Sequence, residues 1–412
     1  MNEKSTNKIK ILNDPIYGFI TIPSVLIFDL IEHPYFQRLR RVSQMGMSYM
    51  IYPGAHHTRF HHAIGAMHLM QKAVRVLRSK GTQISDQEAE AVQIAILLHD
   101  IGHGAFSHAL EHSIVSGITH EEISLKFMEA LNKEFEGKLD LAISIFKGKY
   151  SRKFLHQLIS SQLDMDRLDY LKRDSFYSGV AEGAINSDRI ITMLHVKNDE
   201  LVVEEKGIYS VENFIIARRL MYWQVYLHKT GVVAENLLVS VLKRAKELAK
   251  SGMELPASNT FKYFLYKEIK EENFDNHTLE MFARLDDYDV LGAIKEWVFV
   301  DDFVLSSLAK MITNRNFPKI EISKTPFSKD RIEEMKEKWR KSCEIEKSLS
   351  EYFIFAGEIS NQAYDATYSP IKMLFKNGEI KDVIEASDHL NIQALSKRVT
   401  KYFVCYPKEL IN

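Results

Sequence analysis

Between Arg59 and Ser79 apolar residues return every three or four positions, the period of one helix face, and the run stops before Gly81. A long amphipathic helix is predicted there. The next begins at Ser85, where Ser85-x-x-Glu88 has the form of a capping box. Its body, Val92-Gln93-Ile94-Ala95-Ile96-Leu97-Leu98, is apolar nearly all round, which predicts a buried helix rather than a one-sided surface one. Helical spacing also marks Val25 to Val42, broken near Pro34, and the segments 120–134, 152–175 and 211–250, while Met45 to Gly54 reads as a Gly- and Tyr-containing connection. Two hairpins are expected, one from Asn13 to Pro23 around Gly18 and one from Val196 to Glu205 around Asn198-Asp199. Beyond residue 255 the chain becomes more charged and the pattern weakens. Ser328 to Lys341 reads as a solvated helix, and Ile371 to Val383 and Tyr402 to Tyr406 as short strands. The predicted architecture is mainly α, with a helical core over residues 1–255 that carries the N-terminal hairpin, and a mixed α/β region over 256–412.

Composition narrows the function classes. The 412 residues suffice for two or three domains or one large one with additions, and 45% hydrophobic with 26% charged residues describes a globular chain. Lys+Arg 54 against Asp+Glu 55 leaves a net charge of -1, which argues against a general nucleic-acid coat and permits a local basic pocket. Cys343 and Cys405 are the two cysteines, too few for a disulfide framework or a cysteine zinc site. The polar N-terminus has no apolar run behind it and no stretch approaches the roughly 20 apolar residues that span a bilayer, so a soluble, cytoplasmic protein is expected.

Histidine changes the picture most. Of 16 in the chain, ten (His56, His57, His61, His62, His68, His99, His103, His108, His112 and His120) fall between positions 56 and 120. The buried helix ends in His99-Asp100-Ile101-Gly102-His103-Gly104, so imidazole and carboxylate are delivered together at the end of a rigid element. A divalent cation needs a few such groups converging. His99 and Asp100 can supply two, His62 or its neighbour His61 a third, and Asp166 or Asp164 from a later helix a fourth.

The pieces Arg59-Phe60-His61-His62, Leu98-His99-Asp100-Ile101-Gly102-His103-Gly104-Ala105-Phe106-Ser107-His108 and Leu163-Asp164-Met165-Asp166-Arg167-Leu168-Asp169-Tyr170, in this order, resemble the HD-domain phosphohydrolases. Within them they look like the deoxynucleoside triphosphate triphosphohydrolases. The preceding Phe36-Gln37-Arg38-Leu39-Arg40-Arg41 fits the same pattern, and the resemblance runs from Asp14 to about Asn236 and returns at Pro370 to Val383. It implies an HD-type helical fold and a divalent metal ion (Mg, Mn, Fe, Ni or Zn) on His62, His99, Asp100 and Asp166. The family's catalytic histidines map to His103, His108 and His120, with Glu111 as the acidic partner. An imidazole held by a carboxylate can deliver a proton to a leaving oxygen, and His120 is favoured for that role, with His108 as a phosphate contact. His61 is read as a supporting or surface residue, and His56, His57, His68 and His112 as structural or solvent-facing.

Arg59, Arg167 and Arg218 match the family's phosphate-binding positions, Arg167 where vertebrate members have Lys. If Leu163 to Asp174 is helical, Asp166, Tyr170 and Asp174 share one face with Arg167 beside it. The resemblance assigns Tyr170 and Tyr226 to the deoxyribose ring and Asp174 and Gln44 to its 3′-hydroxyl. Leu227 departs from the vertebrate pattern, where Gln contacts the base, and Trp223 is read as core. The expected activity is hydrolysis of a deoxynucleoside triphosphate to deoxynucleoside and inorganic triphosphate. One rival is an HD phosphodiesterase or nuclease acting on cyclic nucleotide, monophosphate or single-stranded nucleic acid; the other is a nucleotide sensor without turnover. The family further implies a homo-oligomer (dimer or higher) and, in some members, an activator nucleotide; no membrane partner is expected, and nucleic acid is not favoured.

Overall fold

The computed structural model describes residues 10–106, 111–367, 369–388 and 390–411. The N-terminal hairpin forms as expected, with β1 (Ile11–Asp14) antiparallel to β2 (Gly18–Thr21). Asp14 shapes the turn by accepting from the amides of Ile16 and Tyr17, each at 2.9 Å, and Gly18 takes the left-handed conformation that follows. α1 (Val25–Glu32) and α2 (Pro34–Gln37) divide where Pro34 occupies the first position of the second helix, the one place where its missing N–H costs nothing.

α3 (Arg59–Ser79) and α4 (Asp86–Leu98) match their predicted limits, and the Ser85–Glu88 capping box is made from both sides, Glu88 N to Ser85 Oγ at 3.1 Å and Ser85 N to Glu88 Oε2 at 2.8 Å. Ala91 to Leu98 are buried without interruption, so α4 runs through the core and emerges at His99. α5 (Glu111–Ile114), α6 (His120–Glu134), α7 (Asp140–Phe146), α8 (Lys153–Gln157) and α9 (Met165–Ser178) follow. The single helix expected over 152–175 is thus two. Asp164 starts a fresh one by accepting from the Arg167 amide at 2.7 Å, and Gly179, left-handed, ends it.

After α10 (Ser187–Met193), the second predicted hairpin is β3 (Leu194–Lys197) and β4 (Glu200–Glu204), with Asn198 and Asp199 both at positive φ in its turn. The expected run over 211–250 divides as well. α11 (Ile208–Met221) widens into a π turn at Tyr222–Tyr226, and α12 (Lys229–Lys250) restarts from a His228 cap.

The weakly patterned stretch after residue 255 holds four helices that the sequence analysis passed over: α13 (Asn259–Tyr266), α14 (Asn276–Arg284), α15 (Asp287–Trp297) and α16 (Phe303–Thr313). They are short and alternate with charged turns, which blurs a long-window period. Then come β5 (Lys319–Ser323), the predicted α17 (Lys329–Cys343), β6 (Phe355–Asn361), β7 (Lys372–Leu374), β8 (Ile380–Asp382) and β9 (Val399–Tyr406). β5 and β6 flank β9 in one sheet, while β7 and β8 extend the earlier hairpin into the order β3-β4-β7-β8, with Val203 opposite Met373 in a parallel pair. The architecture is mainly α with small sheets, and its buried apolar residues form one continuous cluster from Ile20 to Tyr406. Among the described residues no helix is long and apolar enough to cross a membrane.

Candidate active site

The first turn of α3, the end of α4 and the first turn of α9 meet at one point. His62 Nε2 lies 3.1 Å from Asp166 Oδ1 and 3.7 Å from Asp100 Oδ2, and His99 Nε2 lies 3.4 Å from Asp100 Oδ1 and 3.5 Å from Asp166 Oδ1. All four expected metal ligands therefore converge. The other nitrogen of each ring is engaged: His62 Nδ1 with Asp169 Oδ2 at 2.8 Å, and His99 Nδ1 with the Ile96 carbonyl at 2.6 Å. Asp169 is itself gripped by Arg173, which also pairs with Asp14 at 2.8 Å and so ties the N-terminal hairpin to α9. Both Nε2 atoms are buried and make no hydrogen bond among the described residues. Two orphaned imidazole nitrogens facing two carboxylates fit a divalent cation, and the Asp169 and Ile96 contacts fix the tautomers that would bind it. Burial opposes charging His62, yet Asp166 and Asp169 outweigh it and lift its pKa to about 10, so the site favours positive charge.

Asp100 also faces a second group. It pairs with Arg59 and lies 3.4 Å from His103 Nε2, and His103 stacks on His120 with ring centres 3.9 Å apart. Burial, with Arg59 next, pushes the His103 pKa well down, so this ring is a neutral link between Asp100 and His120. The loop that carries these groups is fastened to α6. Gly102 N donates to Ser124 Oγ at 2.9 Å, and Ser124 Oγ donates to the His99 carbonyl at 2.7 Å. A β-carbon on residue 102 would stand 2.2 Å from the His120 carbonyl oxygen, so the close approach of His120 to His103 requires glycine here. From the other side, fully buried Arg38 donates to the carbonyls of Ile101 and His103 at 2.8 and 2.7 Å. His108 lies outside the described residues, and so does the side chain of Glu111, whose backbone opens α5.

A cavity of about 390 Å³ opens onto this cluster. Asp100, Asp166, Arg59, Arg167, His103 and His120 line one end, with Arg167 also paired to Asp164. Gln44, Tyr170, Asp174 and Tyr226 line the adjoining wall. Asp174 is buried and doubly held: His57 Nε2 is 2.6 Å from Oδ1, and Tyr226 Oη donates to Oδ2 at 2.8 Å. Burial raises the Tyr170 and Tyr226 pKa values, so both phenols stay neutral donors. The Gln44 side-chain oxygen is buried without a partner. Arg218 stands apart from its predicted companions. It lies behind Tyr222, 5.8 Å from that ring, and donates to the Ala363 carbonyl at 3.1 Å instead of lining the cavity.

Several neighbours went unremarked in the sequence. His57, read as structural, is the buried support of Asp174 and stacks on Tyr177 at 4.3 Å. His61 completes the cap of α3 with Thr58. Asp169 and Arg173 carried a signal, since they lie three and seven residues after Asp166 and thus on its helix face. Met45, Gly46, Ser48, Phe106, Tyr222 and Glu235 complete the lining and carried none.

Comparison with known proteins agrees with this geometry. The HD domain family matches residues 59–174 and the HD associated region residues 185–263. A phosphohydrolase from Bacteroides thetaiotaomicron, known from its crystal structure, is 54% identical, covers 97% of this chain and 100% of its own, and superimposes with a TM-score of 0.94. The uncharacterized protein YwfO of Bacillus subtilis is 32% identical over 98% of this chain and 93% of its own length. The deoxynucleoside triphosphate triphosphohydrolase SAMHD1 homolog of Dictyostelium discoideum is 31% identical over 62% of this chain and 53% of its own length, so the chain spans about half of that relative. With His62 and His99 converging on Asp100 and Asp166, which line the cavity, the chain belongs to the HD-domain phosphohydrolases, in the group resembling the deoxynucleoside triphosphate triphosphohydrolases.

Proposed function

We propose that this chain hydrolyses a deoxynucleoside triphosphate to the deoxynucleoside and inorganic triphosphate. The observation that carries the reading is the set of groups that meet at one cavity: cation ligands, Arg59 and Arg167, and a carboxylate braced by a histidine and a tyrosine. A divalent ion held by His62, His99, Asp100 and Asp166 would supply Lewis-acid polarisation of a phosphoryl oxygen and an activated water.

The chain's own groups do the rest. A triphosphate carries about four negative charges, and the Arg59 and Arg167 guanidiniums that line the cavity offset part of them, each held there by a carboxylate, Asp100 or Asp164. Attack of water on the α-phosphorus breaks the bond to O5′, and the proton this oxygen needs comes from His120, which lines the cavity and leans on the His103–Asp100 link. Asp174, fixed by His57 and Tyr226, accepts from the 3′-hydroxyl, and the Gln44 oxygen without a partner is the second acceptor in reach of the same wall. Arg218 reaches phosphate only by giving up Ala363, so it ranks below Arg59 and Arg167.

A panel of deoxynucleoside and ribonucleoside triphosphates, cyclic nucleotides and single-stranded DNA, each with Mg or Mn, tests the reading. Turnover of deoxynucleoside triphosphates at least about tenfold above every other class is expected, because a site built around one hydroxyl and closed about the ring rejects analogues by that much or more. Preference for a cyclic nucleotide or DNA would replace it with the phosphodiesterase reading.

A further inference from the structure

Once phosphates are assigned to Arg59 and Arg167, the sugar to Asp174, Tyr170, Tyr226 and Gln44, and the chemistry to Asp100, Asp166, His103 and His120, the remaining lining is Met45, Gly46, Ser48, Phe106, Tyr222 and Glu235. A thioether and an aromatic ring suit a flat base. Glu235 does not fit a structural role. It projects from α12 between Ala234, Leu237 and Leu238, which are fully buried, and its carboxyl makes no hydrogen bond or ion pair among the described residues. Gly46 lies beside it: a β-carbon there would make ordinary contact, 3.9 Å from Glu235 Oε1 and 3.5 Å from the Phe106 carbonyl oxygen, while φ of +50° favours glycine. While the cavity is wet, water solvates this acid. A base that displaces the water must supply a partner, because an unpaired buried polar group costs more than a hydrogen bond returns.

We propose that Glu235 reads the hydrogen-bonding edge of the nucleobase, and that its charge state sets which base is preferred. This rests on the deoxynucleoside triphosphate reading above. A carboxylate accepts two bonds and matches the adjacent N1–H and N2–H donors of guanine; the neutral acid donates one bond and accepts another, matching the ring nitrogen and exocyclic amine of adenine or cytosine. Burial lifts the Glu235 pKa to about 7, so both forms are populated near neutrality. The ionisable groups that share its cavity are Arg59 from α3, Asp100, His103 and His120 around the α4–α6 loop, Asp166, Arg167, Tyr170 and Asp174 from α9, and Tyr222 and Tyr226 from the π turn; the turn packed on α12 adds Tyr49. Titration of these affects every substrate alike, so a ratio between two bases cancels it.

The test is the ratio of kcat/KM for dGTP to that for dATP, measured from pH 6 to pH 8 on the wild type, Glu235→Gln and Glu235→Ala. In the wild type the ratio should rise by up to about a hundredfold with pH, as the ratio of ionised to neutral forms of a group titrating near 7 does over those two pH units. Glu235→Gln, a permanent donor–acceptor pair, should lower the ratio at pH 8 by about tenfold and remove its pH dependence. Glu235→Ala should flatten it too, without favouring adenine. A ratio taken on one preparation does not depend on how much of a variant has folded. If the wild type turns over both substrates and neither variant changes the ratio or its pH profile, the Glu235 assignment is overturned while the activity stands. If the wild type turns over no deoxynucleoside triphosphate, the activity itself falls and takes the assignment with it.

Discussion

At the His/Asp end of the cavity each functional group is held by a neighbour: His62 by Asp169, His99 by the Ile96 carbonyl, Asp100 by Arg59, and His103 by the ring of His120. At the Glu235 end the carboxyl has no such support among the described residues. The difference separates two tasks. Groups that move protons and hold a cation must be rigid before the substrate arrives, since misplacement by even an ångström is costly in rate. Groups that recognise a base are completed by the base itself. The chemistry end should therefore be intolerant of substitution, and the recognition end should trade one substrate for another.

Five substitutions probe that contrast. Asp100→Ala removes a group shared by the metal ligands and the His103 link; it should lose bound metal by elemental analysis and at least about a thousandfold in turnover, several kcal/mol being the usual worth of the ion. Asp169→Asn leaves the ligands in place but loosens His62 and should weaken metal binding by about 10- to 100-fold in a titration. A variant as active and as well metallated as the wild type would dissolve the claim that this end is braced.

Arg167→Ala should cost about 1.5–3 kcal/mol of transition-state stabilisation, or roughly one to two decades in kcat/KM for a triphosphate, while a small artificial phosphodiester is spared. Equal losses on both would point to a structural role. Arg218→Ala should do less, because its guanidinium is engaged with Ala363 behind Tyr222. Asp174→Ala is expected to shrink discrimination between dGTP and its 2′,3′-dideoxy analogue by about 1–3 kcal/mol, the value of one satisfied buried acceptor. Unchanged discrimination would remove the sugar role from the wall between the two ends.

The same contrast explains what could be read from the sequence. α3, α4 and the His99-Asp100 pair were legible because a long period, a capping box and a dense histidine run are local patterns, while the choice of His62 over His61 and of Asp166 over Asp164 came from the family resemblance. The breaks at Asp164 and His228 were not, since in each case a cap sits inside continuous apolar spacing and only the tertiary packing decides whether the helix restarts. The four helices between 259 and 313 hid for the opposite reason: their caps at Ser258, Asp275, Asp286 and Asp302 are plain, but each helix is too short to establish a period. Glu235 looked like any polar residue of an amphipathic helix, because what distinguishes it is the loop from Gln44 to Ser48 lying across its face. That His57 is structural rather than solvent-facing could not be decided without Asp174, 117 residues away.

The central claim, that the O5′–phosphorus bond is the one broken, is tested most directly by letting the wild type hydrolyse dGTP in ¹⁸O-water with Mg or Mn and weighing both products. The account predicts deoxyguanosine and inorganic triphosphate in equal amounts, with the label in the triphosphate and none in the nucleoside. Deoxyguanosine monophosphate with pyrophosphate, or orthophosphate with the diphosphate, would contradict it.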